Sequence, residues 1–228
     1  MILEVCANSY ESAINAEKGG AHRIELCENL SVGGLTPNFV LAKKVINKLN
    51  IPVFILIRPR DGDFNYSAEE FVQIKKDIIF FKDLGCKGIV SGILTKDKNI
   101  DIKRTRELIE LSKPLEFTFH RAFDEVLNPI EGLHKLIEIK TNRLLTSGQK
   151  STAILGIELI KKLINISDKK IIIMPGSGIN SDNILEFKKI ESEEIHGSFI
   201  KNPNNKNSIS NIDKIFRCYN LITENKKK

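Results

Sequence analysis

Two thiols stand at matching places in this chain. Leu3-Glu4-Val5-Cys6-Ala7-Asn8 and Ile24-Glu25-Leu26-Cys27-Glu28-Asn29 share one pattern, an apolar–acidic alternation that ends on cysteine. If both stretches are neighbouring strands, their cysteines share an orientation at a spacing of about 4.8 Å. Two thiolates in a reducing compartment suit the soft ion Cu(I). A free cysteine also serves as a small buried hydrophobe, and that reading stands beside the first. Cys86 precedes the fourth apolar run and Cys218 falls in the last helical stretch, and both are expected to be inert.

A second set of residues suits proton transfer and anion binding. Glu4, Glu25, His120 and Asp124 are the candidate acids and bases, with His120 in Phe119-His120-Arg121-Ala122-Phe123-Asp124 suited to either a proton-transfer or a metal-ligand role. Asp124 is placed to orient His120 or Arg121. Arg58 and Arg60 flank Pro59, ahead of Asp61-Gly62-Asp63. The planar guanidinium fork fits a carboxylate or phosphate, so this stretch reads either as an anion clamp or as arginines paired with Glu4, Glu25 or Asp63. The turns Thr146-Ser147-Gly148, Pro175-Gly176-Ser177-Gly178 and His196-Gly197-Ser198 offer backbone N–H groups for phosphate, or tight turn geometry alone.

Positioning these groups requires strands and helices in alternation. Strands are expected at 3–7, 23–27, 53–59, 88–94, 115–121, 143–147, 170–175 and 194–199. Helices are expected near 10–18, 38–49, 68–84, 102–111, 129–139, 152–166, 182–189 and 212–222. Ser67 opens a capping box and Pro129 suits a first helical position. Eight strands, each followed by a helix, demand a parallel sheet, and closing it gives a (β/α)8 TIM barrel. An open doubly wound sheet would place a GxGxxG turn after the first strand, where Val5-Cys6-Ala7-Asn8-Ser9 stands instead. The expected organisation is a single domain over 1–228: the barrel to about 200, a closing helix at 212–222, and a disordered tail at 223–228.

Parity then assigns directions, because strand side chains alternate faces. Leu3 and Val5 oppose Glu4 and Cys6. Ile24 and Leu26 oppose Arg23, Glu25 and Cys27. Phe117 and Phe119 oppose Glu116, Thr118 and His120, and Ile195 and Phe199 oppose Glu194, His196 and Ser198. With the apolar set against the helices, the polar set fills the barrel. That interior is either an ion-pair plug or a polar ligand pocket, and both can hold at different depths.

Composition narrows the function classes. The chain has 228 residues, 41% hydrophobic and 28% charged, which suits one folded barrel rather than disorder. The net charge of +6 comes mostly from lysines scattered as pairs such as Lys43-Lys44 and Lys161-Lys162, with a single run at Lys226-Lys227-Lys228. Without a basic stripe and interleaved aromatics, no nucleic-acid partner is expected. No apolar run approaches the roughly 20 residues of a membrane span, and no secretory leader is read at Met1. Four cysteines without a CxxC pair suit a reducing, cytoplasmic setting with free thiols. No nucleotide cofactor is expected.

Leu3-Glu-Val-Cys6, the stretch Gly19-Gly-Ala-His-Arg-Ile-Glu-Leu-Cys27, Gly33-Gly-Leu-Thr-Pro37, Ile57-Arg-Pro-Arg-Asp-Gly-Asp-Phe64, Thr118-Phe-His-Arg-Ala-Phe-Asp124, Leu145-Thr-Ser-Gly148, Ile173-Met-Pro-Gly-Ser-Gly178 and Glu194-Ile-His196 together resemble the CutC family, linked by name to copper homeostasis. The resemblance runs to about residue 200. It implies a cytoplasmic α/β barrel, a homo-oligomer (dimer or tetramer), and copper binding with Cys6 and Cys27 as the Cu(I) ligands. The motifs hold more than two thiols need. An alternative is therefore an isomerase- or lyase-type enzyme for a small anionic or phosphorylated metabolite, with Arg58, Arg60, Ser147, Gly176, Ser177, Gly178, His196 and Ser198 holding the anion.

Overall fold

The computed structural model describes residues 1–202 and 208–224. It is a (β/α)8 barrel. Strands β1 (Ile2–Ala7), β2 (Arg23–Leu26), β3 (Val53–Leu56), β4 (Gly88–Ser91), β5 (Glu116–Phe119), β6 (Arg143–Thr146), β7 (Ile172–Pro175) and β8 (Glu194–Gly197) form one sheet in the order β7-β6-β5-β4-β3-β2-β1-β8. The paired strands run parallel throughout, and a parallel bridge between Gly176 and His196 brings β7 to β8. Around them lie helices α1 (Tyr10–Lys18), α2 (Phe39–Ile46), α3 (Ala68–Asp83), α4 (Ile102–Ser112), α5 (Pro129–Glu138), α6 (Ile157–Ser167), α7 (Ile184–Lys189) and α8 (Ile212–Thr223). Among the described residues no helix is long and apolar enough to cross a membrane. Thr223 belongs to α8 rather than to the expected tail, and 225–228, with the lysine run, lie outside the described residues.

Local chemistry sets the helix starts. Ser67 and Glu70 form the full capping box of α3, and Pro129 occupies the first turn of α5 behind the cap Asn128. Four strands end two or three residues earlier than the alternation suggests. β3 stops at Leu56, β4 at Ser91, β5 at Phe119 and β8 at Gly197, and the chain then turns over the barrel mouth. The expected helix at 152–166 begins only at Ile157, because residues 152–156 form a turn whose backbone packs directly on Gly148.

The core has two layers of different character. Outside the sheet, Leu3, Val5, Ile24, Leu26, Ile55, Ile89, Phe117, Leu144 and Ile195 meet the apolar faces of the helices, and all are buried. Inside, Cys6, Cys27, Phe54, Leu56 and Val90 form a small separate cluster. Below that cluster the barrel is ionic. Arg23 pairs with Glu4 and Glu194, while Arg143 pairs with Glu194 at 2.5 Å and with Glu116 at 3.1 Å. The Phe54 ring lies 4.8 Å from the Arg23 guanidinium and 5.5 Å from that of Arg143, adding cation–π attraction to both. A floor of this kind tolerates desolvation only because each cation faces carboxylates at hydrogen-bond distance.

Candidate functional site

Above the ionic floor, at the C-terminal ends of the strands, lies a cavity of about 520 Å³. Cys6, Glu25, Leu56, Arg58, His120, Leu145 and His196 reach it from β1, β2, β3, β5, β6 and β8 or from the residues just after them. Phe64, Arg121, Asp124, Ser177, Gly178 and Ser198 contribute from the connecting loops. The inward set at the strand ends is the one that parity assigns, since register puts Cys6 beside Glu25 and Glu4 beside both Arg23 and His196.

One wall of the cavity is a cluster of metal-ligating types. One ligand atom each from Cys6, Glu25 and His196 lies within 4.8 Å of the others, and all three residues are buried. Cys6 Sγ is 3.5 Å from Cys27 Sγ and 3.9 Å from Glu25 Oε1. Cys27 is fully buried behind Cys6 and does not line the cavity. His196 Nδ1 is 2.7 Å from Glu4 Oε1. All four cysteines are free thiols, and Cys86 and Cys218 lie away from this wall, each held near 11 by burial.

The charged groups on this wall lie in contact and set one another's proton affinity. Contact with Cys27, followed by burial, pushes the Cys6 thiol well up. Burial raises the Glu25 carboxyl to about 7 against the pull of His196, and its Oε2 has no hydrogen-bond partner among the described residues. For His196, burial works against the imidazolium, yet Cys6, Glu25 and Glu4 outweigh it and raise its pKa well above the ordinary value. For Glu4, burial is outweighed by Arg23 and His196, which hold the carboxyl at about 2. Two soft thiols, an imidazole and an unpartnered carboxylate oxygen in contact make a donor set fit for a soft cation.

The opposite wall is organised by Arg58. Its Nη1 donates to the carbonyls of Val32 (2.8 Å) and Gly34 (3.1 Å), and its Nη2 to that of Gly62 (3.0 Å). The Phe64 ring stacks 4.9 Å from this guanidinium and 5.0 Å from the His120 ring. His120 caps the short 3-10 helix Arg121–Glu125, its Nδ1 accepting from the Ala122 N–H at 3.2 Å. That contact puts the imidazole hydrogen on Nε2, which is buried without a partner among the described residues. Burial, and then the Arg58 charge, lower the pKa of His120 to about 3, so the ring is neutral.

The structure separates several residues that the sequence groups together. Glu4 lies beneath the cavity, bound to Arg23 and His196, and cannot present a free carboxylate to a ligand. Arg60 turns away from the mouth and pairs with Glu70 (2.5 Å) and Asp63 (2.9 Å), so Arg58 and Arg60 do not form one clamp. Asp124 orients Arg121, not His120. It also accepts from Thr146, the Ser147 hydroxyl and the backbone N–H of Ser147 and Gln149. Ser147 is thereby bound to Asp124 and Lys150 and stays off the cavity surface. Gly176 is buried beside Leu145 and His196, and the Ser177 hydroxyl donates to Ser151 O, away from the cavity. Glu116 sits half-exposed at the far end of the barrel, in the ionic floor. Not foreseen from the sequence are Phe64, the carbonyls that hold Arg58, and the place of His196 beside Cys6 and Glu25. The last had a signal: it faces inward beside β1, as parity requires.

Known proteins resemble this chain along most of its length. The model of the CutC family matches residues 1–201. A human protein called copper homeostasis protein cutC homolog is 47% identical over 183 residues, covering 80% of this chain and 67% of its own. A CutC family protein from Parabacteroides distasonis is 47% identical over 195 residues, covering 84% of this chain and 78% of its own. The crystal structure of a CutC from Streptococcus agalactiae superposes with a TM-score of 0.83 at 30% identity, over 87% of this chain and 98% of that one. QR15, an aldolase, shares the fold alone, with a TM-score of 0.68 at 13% identity over 98% of this chain and 97% of its own.

Proposed function

The chain belongs to the CutC family, and we propose that it serves copper homeostasis by holding Cu(I) as cargo at the thiol wall of the barrel mouth. The observation that carries this reading is the 3.5 Å approach of Cys6 Sγ to Cys27 Sγ, with His196 and Glu25 ligand atoms clustered around Cys6. Thiolate and imidazole donors favour a soft monovalent ion over the hard cations that prefer all-oxygen sites. Cys6 and Cys27 are the thiolate ligands of the proposal, His196 is the imidazole beside them, and the ion enters from the cavity side through Cys6. The names carried by the human and bacterial relatives point the same way. A cytoplasmic, reducing location and assembly as a homo-oligomer belong to the same proposal. Free buried thiols support the first, and size-exclusion chromatography with light scattering tests the second.

Anaerobic titration of Cu(I) against a chelator of moderate affinity tests the site. The wild-type chain is expected to retain a stoichiometric ion. Cys6→Ser should weaken retention by about tenfold or more, and the double variant Cys6→Ser, Cys27→Ser should abolish it. A wild-type chain that yields all its Cu(I) to the chelator sinks the reading.

A further inference from the structure

We propose that the wall opposite the thiols is a binding site for a small organic carboxylate, with Arg58 taking the carboxylate and Nε2–H of His120 donating to a second oxygen on the neighbouring carbon. The ligand class is a 2-oxo or 2-hydroxy monocarboxylate. This inference concerns a different wall and a different ligand from the copper reading and does not rest on it.

The first observation is a buried cation without an anion. Arg58 is 5% exposed. Arg23, Arg60, Arg121 and Arg143 each face a carboxylate, whereas among the described residues Arg58 faces none. Its partners are the carbonyls of Val32, Gly34 and Gly62, which fix the guanidinium in place but carry no charge to neutralise it. A desolvated positive charge is costly unless paired, and this one lines the cavity.

The second observation is a donor with nothing to donate to. His120 Nε2 is buried and unpartnered, and the residue lines the same cavity. Its ring cannot turn to find another partner. Nδ1 is held by the Ala122 N–H, Gly92 lies so near the same edge that a Cβ there would meet Nδ1 at 2.6 Å, and Phe64 packs against the ring. The neutral state, set by burial and the Arg58 charge, keeps the hydrogen on Nε2 across the physiological range. A neutral imidazole fixed this way suits a carbonyl or hydroxyl oxygen, not a second anionic group.

Phe64 touches both groups and so joins them into one wall. That wall offers one unpaired positive charge and one neutral donor, which matches a monoanion. Phosphate suits it less well. The turn expected to cradle phosphate sends its Ser177 hydroxyl to Ser151, and one unpaired cation does not balance a dianion. The cavity of about 520 Å³ falls within the size range of small-molecule sites.

The test uses metal-free full-length protein, with pyruvate, lactate and inorganic phosphate as probes. Calorimetry is expected to find saturable binding of pyruvate or lactate that is about tenfold or more tighter than phosphate. Arg58→Gln should weaken it by about tenfold or more, as should His120→Phe, while Arg60→Gln leaves it unchanged. Because Arg58 also holds three loop carbonyls, the wild-type protein carries an independent readout. In ¹⁵N–¹H spectra of the imidazoles, saturating pyruvate or lactate should shift the His120 Nε2–H resonance. An unmoved resonance, a preference for phosphate, or equal binding by folded Arg58→Gln overturns the proposal. Copper enters none of these experiments, so this failure and failure of the thiol site are separately visible.

Discussion

His120 and Arg143 show how the same barrel interior sets opposite demands on single residues. His120 is held neutral, with a pKa of about 3 against an ordinary 6.5. Between those values the unfolded chain binds a proton that the folded chain refuses. The stability contributed by this residue is therefore complete above pH 6.5 and falls on acidification, levelling off below about pH 3. From pH 7 to pH 5 the loss from this residue is about 2 kcal/mol, against an opposite change from Glu25, and it is read as the difference between wild type and His120→Asn in urea titrations at the two pH values. Arg143, in contrast, is a charge that must stay charged. Arg143→Ala strands the buried carboxylate of Glu194 with one cation fewer and should cost about 3–5 kcal/mol. Arg60→Ala, at the half-exposed rim, should cost about 1 kcal/mol or less. The sequence made the inward polar set legible at this scale: Cys6, Glu25, His120 and His196 line one cavity because alternation within a strand is rigid. Of its two readings of Arg58 and Arg60, pairing with Asp63 holds for Arg60, while Arg58 parts from it and lines the cavity. Two residues apart implies one face only while the strand lasts, and β3 ends at Leu56.

Elements meet the site through their ends, and one such junction is unusually tight. Gly148, at φ +66, follows β6, and a side chain there would run into the backbone of Gly156 at 2.3 Å. The turn that Gly156 ends also exchanges hydrogen bonds with the loop after β7: Ala153 N donates to Ser177 O, and Ser177 Oγ donates to Ser151 O, both at 2.9 Å. Gly148→Ala is thus expected to push the 152–156 turn outward, disturb the Ser177 rim and destabilise the fold by about 2–3 kcal/mol, measured as a lowered thermal midpoint. The same junction explains why α6 starts late. Helical periodicity marks the apolar residues from 152 onward, but the packing of Gly156 on Gly148 and the bond from Ala153 N to the distant Ser177 O leave no trace in that periodicity. Elements fixed by local chemistry, such as α3 behind Ser67, start where the sequence places them.

At the scale of the whole molecule, the alternation of short apolar runs and helical stretches was enough to indicate the barrel, and its polar interior divides by depth into an ion-pair plug and an open cavity. Arg23, Arg143, Glu4, Glu116 and Glu194 fill the lower part, while Cys6, Glu25, Arg58 and His120 surround the open space above. The depth at which one gives way to the other was not legible, because it depends on the shear that brings Arg143 of β6 across to Glu194 of β8. That plugged lower end has a kinetic corollary. With the lower end filled by ion pairs, the sulfurs and the Arg58–His120 wall share the mouth as their approach, so two guests would meet there. A carboxylate lodged between Arg58 and His120 would bar the exit, and saturating pyruvate should slow the escape of preloaded Cu(I) to a scavenger in stopped-flow measurements.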